Sequence, residues 1–279
     1  MAAYFAQEVS NLSLRLGVLV FGLLLLSLTL RLDSALAAPK YHAHDAKALK
    51  SFDTSKNDPA NELNWSSSPV YDQTWTGVAW VDAGNGDYRV EAIDIRSMGL
   101  TGELKLNGLT SLTELDARDN ALTAVDIANN PALAFLCLWS NKLTSLDVSK
   151  NADLESLDVD ANKLPFSQLY QLMGIANLKL GSQKGVVPQG LVGRKLAPNK
   201  VYDLSSELEF NGVTTVFSLT FNNVAATNGQ EYSLSPTGEL VFNEPGVYQI
   251  SMTNAAIHDQ GVYETKVATV TTEELNVAP

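Results

Sequence analysis

The amino-acid sequence predicts a mainly β protein with some helix: a solenoid of about four stacked coils with N- and C-terminal caps, followed by an antiparallel β-sandwich. Three observations favour this fold class. Residues 112–174 divide into three superimposable lines of equal length, the flanking segments depart from that pattern, and the chain from about residue 200 alternates short strands with turn signals. Such a period indicates a solenoid, because one unit cannot bury its apolar face alone.

Five segments follow from these patterns. With 279 residues, 45% of them hydrophobic, the chain is long enough for about two domains with a buried core. The predicted segments are a signal peptide (1–37), an N-terminal cap (38–90), repeats with a C-terminal cap helix (91–185), a linker (186–199) and a sandwich (200–279).

Charge narrows the range of partners. The chain carries 19 Lys and Arg against 31 Asp and Glu, for a net charge of −12, and no basic run interrupts this balance. Because phosphate groups are bound by clustered Lys and Arg, no nucleic acid is expected as a partner. The single cysteine, Cys137, also excludes an intramolecular disulfide.

The first 37 residues predict export. Arg15 precedes the apolar run LGVLVFGLLLLSLTL, and SALAA then places Ala35 and Ala37 at the two small-residue positions of a signal-peptidase site. Cleavage after Ala37 would give a secreted or cell-surface protein with no membrane insertion. The alternative is an uncleaved anchor, although this run is shorter than the ~20 residues of a typical span.

The next segment predicts a lid over the first coil. Asp45 is placed to N-cap a short helix on which Leu49 and Phe52 share one face. Three tryptophans follow, and they are expected to cover the apolar end of the solenoid rather than to bind a ligand: Trp65, Trp75 and Trp80.

The repeats predict one short strand and one buried corner in each coil. Leu115, Leu136 and Leu157 occupy the same position in successive lines, and a looser copy begins at Ile93. The L-x-L core has the period of a strand. Asn120, Asn141 and Asn162 also align. An amide both donates and accepts, so these side chains are expected to satisfy backbone groups from coil to coil, with Asn130 and Asn151 as a second, partial ladder.

This pattern resembles the leucine-rich repeat family in its 21-residue form, known from bacterial surface and secreted proteins. The match covers about residues 93–169. Upstream, WTGVAW resembles the N-terminal cap of plant-type leucine-rich repeats, although Trp80 stands where that cap has its second cysteine. The resemblance implies a parallel sheet whose open face binds a partner.

The C-terminal part predicts closure of the solenoid and then a new module. Residues 166–173 suit a helix that ends the stack, and the Gly- and Pro-rich stretch after Gly185 suits a linker. Short strands separated by NG, TG, EPG and DQG then resemble the immunoglobulin-like module of bacterial surface proteins. Its expected role is spacing or support.

The sequence does not provide the residues that a catalytic or metal-binding site would need. The repeats contain no histidine, so no Ser or Cys there has a base beside it. His42 and His44 in YHAHD could hold a metal weakly, but two ligands without a third favour a solvated terminus. The sequence therefore predicts no enzyme, no metal site and no cofactor.

A candidate binding surface follows from strand alternation. Apolar residues at the second and fourth strand positions face inward, so the others form three outward columns, in each of which neighbouring residues lie about 4.8 Å apart. The columns are Ala92, Glu114, Phe135 and Ser156; Asp94, Asp116, Cys137 and Asp158; and Arg96, Arg118, Trp139 and Asp160.

Two large aromatic residues among charged neighbours are typical of a binding site. Phe135 and Trp139 therefore mark the predicted contact surface, with Cys137 as a lone thiol between them. The predicted function is recognition of a protein partner. Three alternatives stay open: a glycan-binding or adhesive module in which Trp139 stacks on a sugar, a structural spacer at a cell surface, and aromatics that merely cover one another or a cap loop.

Overall fold

The computed structural model describes residues 40–50, 63, 65, 75–84, 86–262 and 265–279. The predicted signal peptide and Phe52 lie outside the described residues. Residues 41–279 form one structural unit. Neither of the two α-helices in the described residues is long and apolar enough to cross a membrane.

The solenoid half contains two helices and nine strands. In chain order they are β1 (Lys40–Tyr41), α1 (Ala43–Lys50), β2 (Val78–Asp82), β3 (Asp87–Asp94), β4 (Thr101–Lys105), β5 (Glu114–Asp116), β6 (Ala121–Asp126), β7 (Phe135–Cys137), β8 (Ser156–Asp158), α2 (Phe166–Leu172) and β9 (Asn177–Lys179). The strands β5, β7 and β8 have three residues each, and their order follows the repeat.

The main sheet has seven strands, of which five are parallel to one another and come one from each coil. Its order is β1-β3-β5-β7-β8-β9, with β2 antiparallel to β3. The register pairs Ile93 with Leu115, Leu136, Leu157 and then Leu178. Five strands define about four turns, so the predicted mainly β, leucine-rich-repeat-like solenoid is confirmed. On the other side of the stack β4 pairs in parallel with β6.

The core is a continuous column of leucines inside the coils. Leu115, Leu136, Leu157 and Leu178 have no exposed surface, nor do the next inward leucines, such as Leu138. Burial of each such side chain contributes about 2 kcal/mol. Because every coil adds to the same column, the coils support one another and none is stable alone.

The asparagine ladder lies at the predicted corner. Asn141 Oδ1 accepts the Leu122 N–H at 3.0 Å, and its Nδ2 donates to the Ala117 and Leu138 carbonyl oxygens at 3.0 Å. Asn120 and Asn162 make the corresponding contacts one coil away on either side. The prediction that these residues are structural is therefore confirmed by their hydrogen bonds.

A second ladder occupies another corner of the coils. Asn130 Oδ1 accepts the Gly108 and Leu109 N–H groups, and its Nδ2 donates to the Leu106 carbonyl oxygen. Asn151 donates to the carbonyl oxygens of Ile127 and Asn130. The ladder is partial, as predicted, since it joins only these coils.

The N-terminal segment covers the first coil in a different way from the prediction. Asp45 is not an N-cap: it lies inside α1, fully buried, and accepts two hydrogen bonds from the Arg89 guanidinium at 2.9 Å. It also accepts the Val90 N–H at 3.0 Å, so the carboxylate ties α1 to β3. Trp65 and Trp75 are buried, which agrees with a covering role.

The C-terminal half contains eleven strands and two short 3₁₀ helices. They are β10 (Ser182–Val186), a 3₁₀ helix (Gln189–Leu191), β11 (Val201–Asp203), a second 3₁₀ helix (Ser205–Glu207), β12 (Glu209–Phe210), β13 (Val213–Thr214), β14 (Val216–Phe221), β15 (Val224–Ala225), β16 (Tyr232–Leu234), β17 (Glu239–Phe242), β18 (Gly246–His258), β19 (Val267–Thr272) and β20 (Leu275–Val277). The larger sheet has the order β10-β19-β18-β14-β15, and β11-β17-β16 form a second one.

The two halves are joined by backbone pairing. β10 begins directly after the last coil and pairs in parallel with β19. The loop after β18 reaches back to β9, where Gln260 exchanges hydrogen bonds with Leu178 and Asp259 Oδ1 accepts the Leu180 N–H at 2.7 Å. This loop therefore covers the last strand of the solenoid sheet. The immunoglobulin-like character of the half stays a prediction.

Candidate functional site

The three predicted columns lie side by side on the open face of the main sheet. The first column pairs Ala92, Glu114, Phe135 and Ser156 in register, and the second pairs Asp94, Asp116, Cys137 and Asp158. The third column lies just past the strand ends. Backbone hydrogen bonds between coils continue there, for example from the Asp119 N–H to the Trp139 carbonyl oxygen at 2.9 Å. The predicted neighbours are thus brought together.

A fifth coil extends this face beyond the predicted four positions. Asn177 pairs with Ser156 and Lys179 pairs with Asp158. Gln183 continues the asparagine ladder, since its Oε1 accepts the Leu164 N–H and its Nε2 donates to the Val159 carbonyl oxygen. Gln183 stands one repeat length after Asn162, and this spacing is the signal that could have located the coil in the sequence.

The two aromatic side chains differ in exposure. Phe135 is 37% exposed and lies among the charged side chains of the open face. Trp139 is half-buried, and the Lys179 ammonium lies 6.0 Å from its ring centroid. That distance is within the range of a cation–π contact. Phe135 is therefore the more open of the two, while Lys179 partly covers Trp139.

The aspartates of the second column bind the backbone of their own coil. Asp94, Asp116 and Asp158 each accept, through Oδ1, the N–H of the residue two positions later, at 3.1 to 3.4 Å. This Asx-type contact fixes the turn after the strand. These three carboxylates therefore have a local structural role that strand alternation alone does not reveal.

Arginine side chains offset the aspartates of the first two coils. Arg96 lies 2.7 Å from Asp94 and 3.9 Å from Asp116, and Arg118 lies 3.5 Å from Asp116. The repulsion between the aspartates of this column is therefore offset by arginines of the same protein. Exposed pairs of this kind contribute at most about 1 kcal/mol each to stability.

Lys179 compensates the aspartates of the later coils. Its Nζ lies 3.2 Å from Asp158 and 3.9 Å from Asp160. Burial raises the pKa of Asp158, and the hydrogen bond from the Asp160 N–H together with the charge of Lys179 opposes this rise. Asp160 also accepts the Ser182 N–H at 2.7 Å. Its carboxylate is therefore used in joining two coils.

Cys137 lies on the outward column that strand alternation predicts, but it is not exposed there. Its side chain is only 4% exposed. Burial raises the pKa of the thiol to about 11, against an opposing contact with the Trp139 backbone. The thiol is thus both covered and protonated at neutral pH, and it takes the place that aspartate holds in neighbouring coils.

The histidines near the N-terminus belong to the cap. His42 and His44 lie 3.4 and 3.8 Å from Asp45 Oδ1, and the His42 N–H donates to the Tyr88 carbonyl oxygen. The expectation of a solvated terminus is corrected, since this segment packs on β3. Within the described ranges, no group of three or more His, Cys, Asp or Glu side chains is placed to hold a metal ion.

Fold and surface together define a leucine-rich-repeat-like solenoid that presents a charged sheet face with one open aromatic side chain. No protein-family model matches the chain, and no curated protein matches it.

Solved structures of low identity are similar to parts of the chain. The functional domain of InlJ from Listeria monocytogenes, which includes a cysteine ladder, is 18% identical over 65% of this chain and 42% of its own, with a TM-score of 0.36. InlP from Listeria monocytogenes is 15% identical over 62% and 55%, with a TM-score of 0.31. The BIR2 ectodomain from Arabidopsis thaliana is 22% identical over 45% and 83%, with a TM-score of 0.29. The chain thus spans about half the length of the two Listeria structures.

Proposed function

We propose that this protein is a secreted or cell-surface binding module that recognises a protein partner through the open face of its solenoid sheet. The observation that carries the proposal is the exposure of Phe135 in the middle of that face. A large apolar side chain surrounded by charge loses unfavourable contact with water when a partner covers it. The charged neighbours keep the free protein soluble.

The rigidity of the face supports the same function. The backbone of Phe135 is held on both sides. The N–H groups of Ala134 and Phe135 donate to the Thr113 carbonyl oxygen, and the next residue, Leu136, is buried in the core. The asparagine ladder fixes the turn that follows Trp139. A side chain on such a scaffold loses little conformational freedom on binding, which favours affinity.

The contact surface that we propose is smaller than the predicted set of ten residues. Phe135, Trp139 and Glu114 form its centre, while Arg96 and Arg118 are available at its edge. Asp94, Asp116, Asp158 and Asp160 act mainly through the backbone of the coils. Cys137 lies beneath the surface.

The cation at Trp139 weighs against the glycan alternative. A sugar ring stacked on the face of Trp139 that Lys179 contacts would compete with Lys179 for that face. A protein partner that covers Phe135 need not compete with Lys179. A glycan array with the purified protein separates the two, because hits that vanish with Trp139→Ala would favour sugar binding.

The decisive experiment compares capture by three forms of the protein. Wild type, Phe135→Ala/Trp139→Ala and the control Val224→Ala are used as bait on extracts from the native environment. Val224 is a matched control because it is exposed on the distant strand β15. We expect a protein that is retained by wild type and by Val224→Ala but lost with the double variant.

Stability measurements complete this test. Because both aromatic side chains are partly exposed, we expect the double variant to lose no more than about 2 kcal/mol of unfolding free energy. A loss above about 4 kcal/mol would show that the aromatics are packing residues, since losses of that size come from truncation of core side chains. Equal capture by all three forms would show that the partner binds elsewhere on the protein, and capture by none of them would favour a structural spacer.

A further inference from the structure

The charges on the open face are distributed unevenly around Phe135. At the carboxyl ends of the strands and just past them, Arg96, Arg118 and Lys179 lie among the four aspartates and pair with them. Toward the opposite end Arg89 is held by Asp45, and the charged side chains at or next to the first column are carboxylates: Glu91, Glu114 and Glu155. All three are exposed, and in the part of the chain that the structure describes none of them forms an ion pair.

Register places one of these carboxylates directly beside Phe135; on the other side its direct partner is Ser156, and Glu155 lies one residue earlier in that coil. Glu114 is its direct partner on β5. On the other side, the Glu155 N–H donates to the Ala134 carbonyl oxygen at 2.9 Å, so Glu155 lies beside the residue that precedes Phe135. Strands in a sheet are about 4.8 Å apart, well within the ~8 Å over which charges act at physiological salt. Phe135 therefore has one of these carboxylates, Glu114, directly beside it, and a second, Glu155, next to the residue that precedes it.

We propose that the partner presents a basic polypeptide segment, in which an apolar side chain covers Phe135 and flanking lysine or arginine side chains contact Glu114 and Glu155. This inference rests on the proposed function and names the chemistry of the partner. A neutral partner would remove water from these carboxylates without replacing its hydrogen bonds, and an acidic partner would add repulsion. A second copy of this chain, with its net charge of −12, is disfavoured for the same reason.

A library of random dodecapeptides displayed on phage is a suitable probe, because its composition is unbiased. Panning on the purified protein is expected to enrich peptides that carry Lys or Arg next to an aromatic or branched aliphatic residue. Synthetic forms of the enriched peptides are then measured by fluorescence anisotropy. Raising the salt concentration from about 0.05 to about 0.5 M should weaken their binding to wild type by about tenfold, since exposed charge pairs are screened.

Two charge-reversal variants locate the effect. Glu114→Lys/Glu155→Lys is expected to weaken binding by at least about tenfold, because attraction becomes repulsion. The control Glu239→Lys/Glu244→Lys makes the same change in net charge at exposed positions in the C-terminal half, and it should bind within about twofold of wild type. Thermal unfolding of both variants verifies that they are folded.

The possible outcomes distinguish this inference from the proposed function. Peptides without basic residues, no enriched peptides, or equal weakening by both charge reversals would overturn the inference. If Phe135→Ala/Trp139→Ala abolishes binding while Glu114→Lys/Glu155→Lys leaves it unchanged, the open face binds a partner but not a basic one. If neither variant alters peptide binding, both proposals fail.

Discussion

Replacing Asn141 by Ala tests whether the ladder of buried amides stabilises the solenoid. Asn141 makes four hydrogen bonds: it accepts the Leu122 N–H and donates to the carbonyl oxygens of Ala117, Leu138 and Trp139. It belongs to the central coil of the stack. Its loss should therefore affect the coils on both sides.

The expected loss depends on which groups keep another partner. The Ala117 and Leu138 carbonyl oxygens also accept from the neighbouring asparagines of the ladder, and the Trp139 oxygen also accepts the Asp119 N–H. The Leu122 N–H, in contrast, loses its acceptor inside the core. A buried donor without an acceptor costs about 1 to 3 kcal/mol of unfolding free energy, and weakening of the three shared hydrogen bonds adds to this cost. We therefore expect a total loss of about 2 to 4 kcal/mol.

Urea unfolding followed by circular dichroism measures this loss, which corresponds to a fall in Tm on the order of 10 °C. Asn107→Ala is the control, because Asn107 is exposed and accepts one hydrogen bond, from Asn129, at the surface. Its expected loss is within about 0.5 kcal/mol. Asn141→Asp is a second variant. It keeps an acceptor for Leu122 but sets a carboxylate oxygen against carbonyl oxygens, so its loss should be at least as large at neutral pH.

A loss for Asn141→Ala no larger than that of an ordinary surface substitution, about 0.5 kcal/mol, would refute this reasoning. It would mean that water or a backbone shift satisfies the Leu122 N–H, and that the leucine column alone determines the stability of the coils. A large loss for Asn107→Ala would equally contradict it, because burial would then not decide which amides matter.

Two further predictions concern the junction between the halves. Glu207 is fully buried and accepts the Phe166 N–H at 3.0 Å, and burial raises its pKa above the ordinary 4.5. The stability that comes from its protonated form is lost as pH rises above about 4.5. In Glu207→Gln, Tm should therefore vary less between about pH 4.5 and 7 than it does in wild type. The same pH profile of Tm in both proteins would contradict this. Asp259→Ala removes the acceptor of the Leu180 and Gly181 N–H groups, and should cost about 2 kcal/mol with faster hydrogen exchange in the last coil. Unaltered exchange there would show that the loop contributes nothing.

The repeat could be predicted from sequence because its signal is periodic. A constant repeat length fixes which leucine pairs with which, and the register of Leu115, Leu136 and Leu157 follows directly. The asparagine ladder follows from the same spacing and from the need to satisfy a buried corner. α2 was also predictable within one residue of its end, since its apolar residues have a helical period.

The details of the candidate site depend on contacts that periodicity does not contain. Whether Asp116 or Asp158 faces a partner or a backbone N–H depends on the turn after the strand. Cys137 lies between Asp116 and Asp158 in an outward column and is nevertheless buried, which strand alternation does not predict. The role of Asp45 could not be predicted, because its partner Arg89 is distant from it in the sequence.

The loop after β18, which covers β9, is synthesised late, and this affects how the chain folds. Residues 93–180 leave the ribosome well before Asp259 and Gln260, which hydrogen-bond to the end of the solenoid, and before β19, which pairs with β10. Until then the newest coil presents an open strand edge to which another unfinished chain could add. The interval between synthesis of Lys179 and of Thr272 is therefore the period in which nascent chains of this protein are most exposed to mispairing, and slower translation of that stretch should lower the yield of monomer.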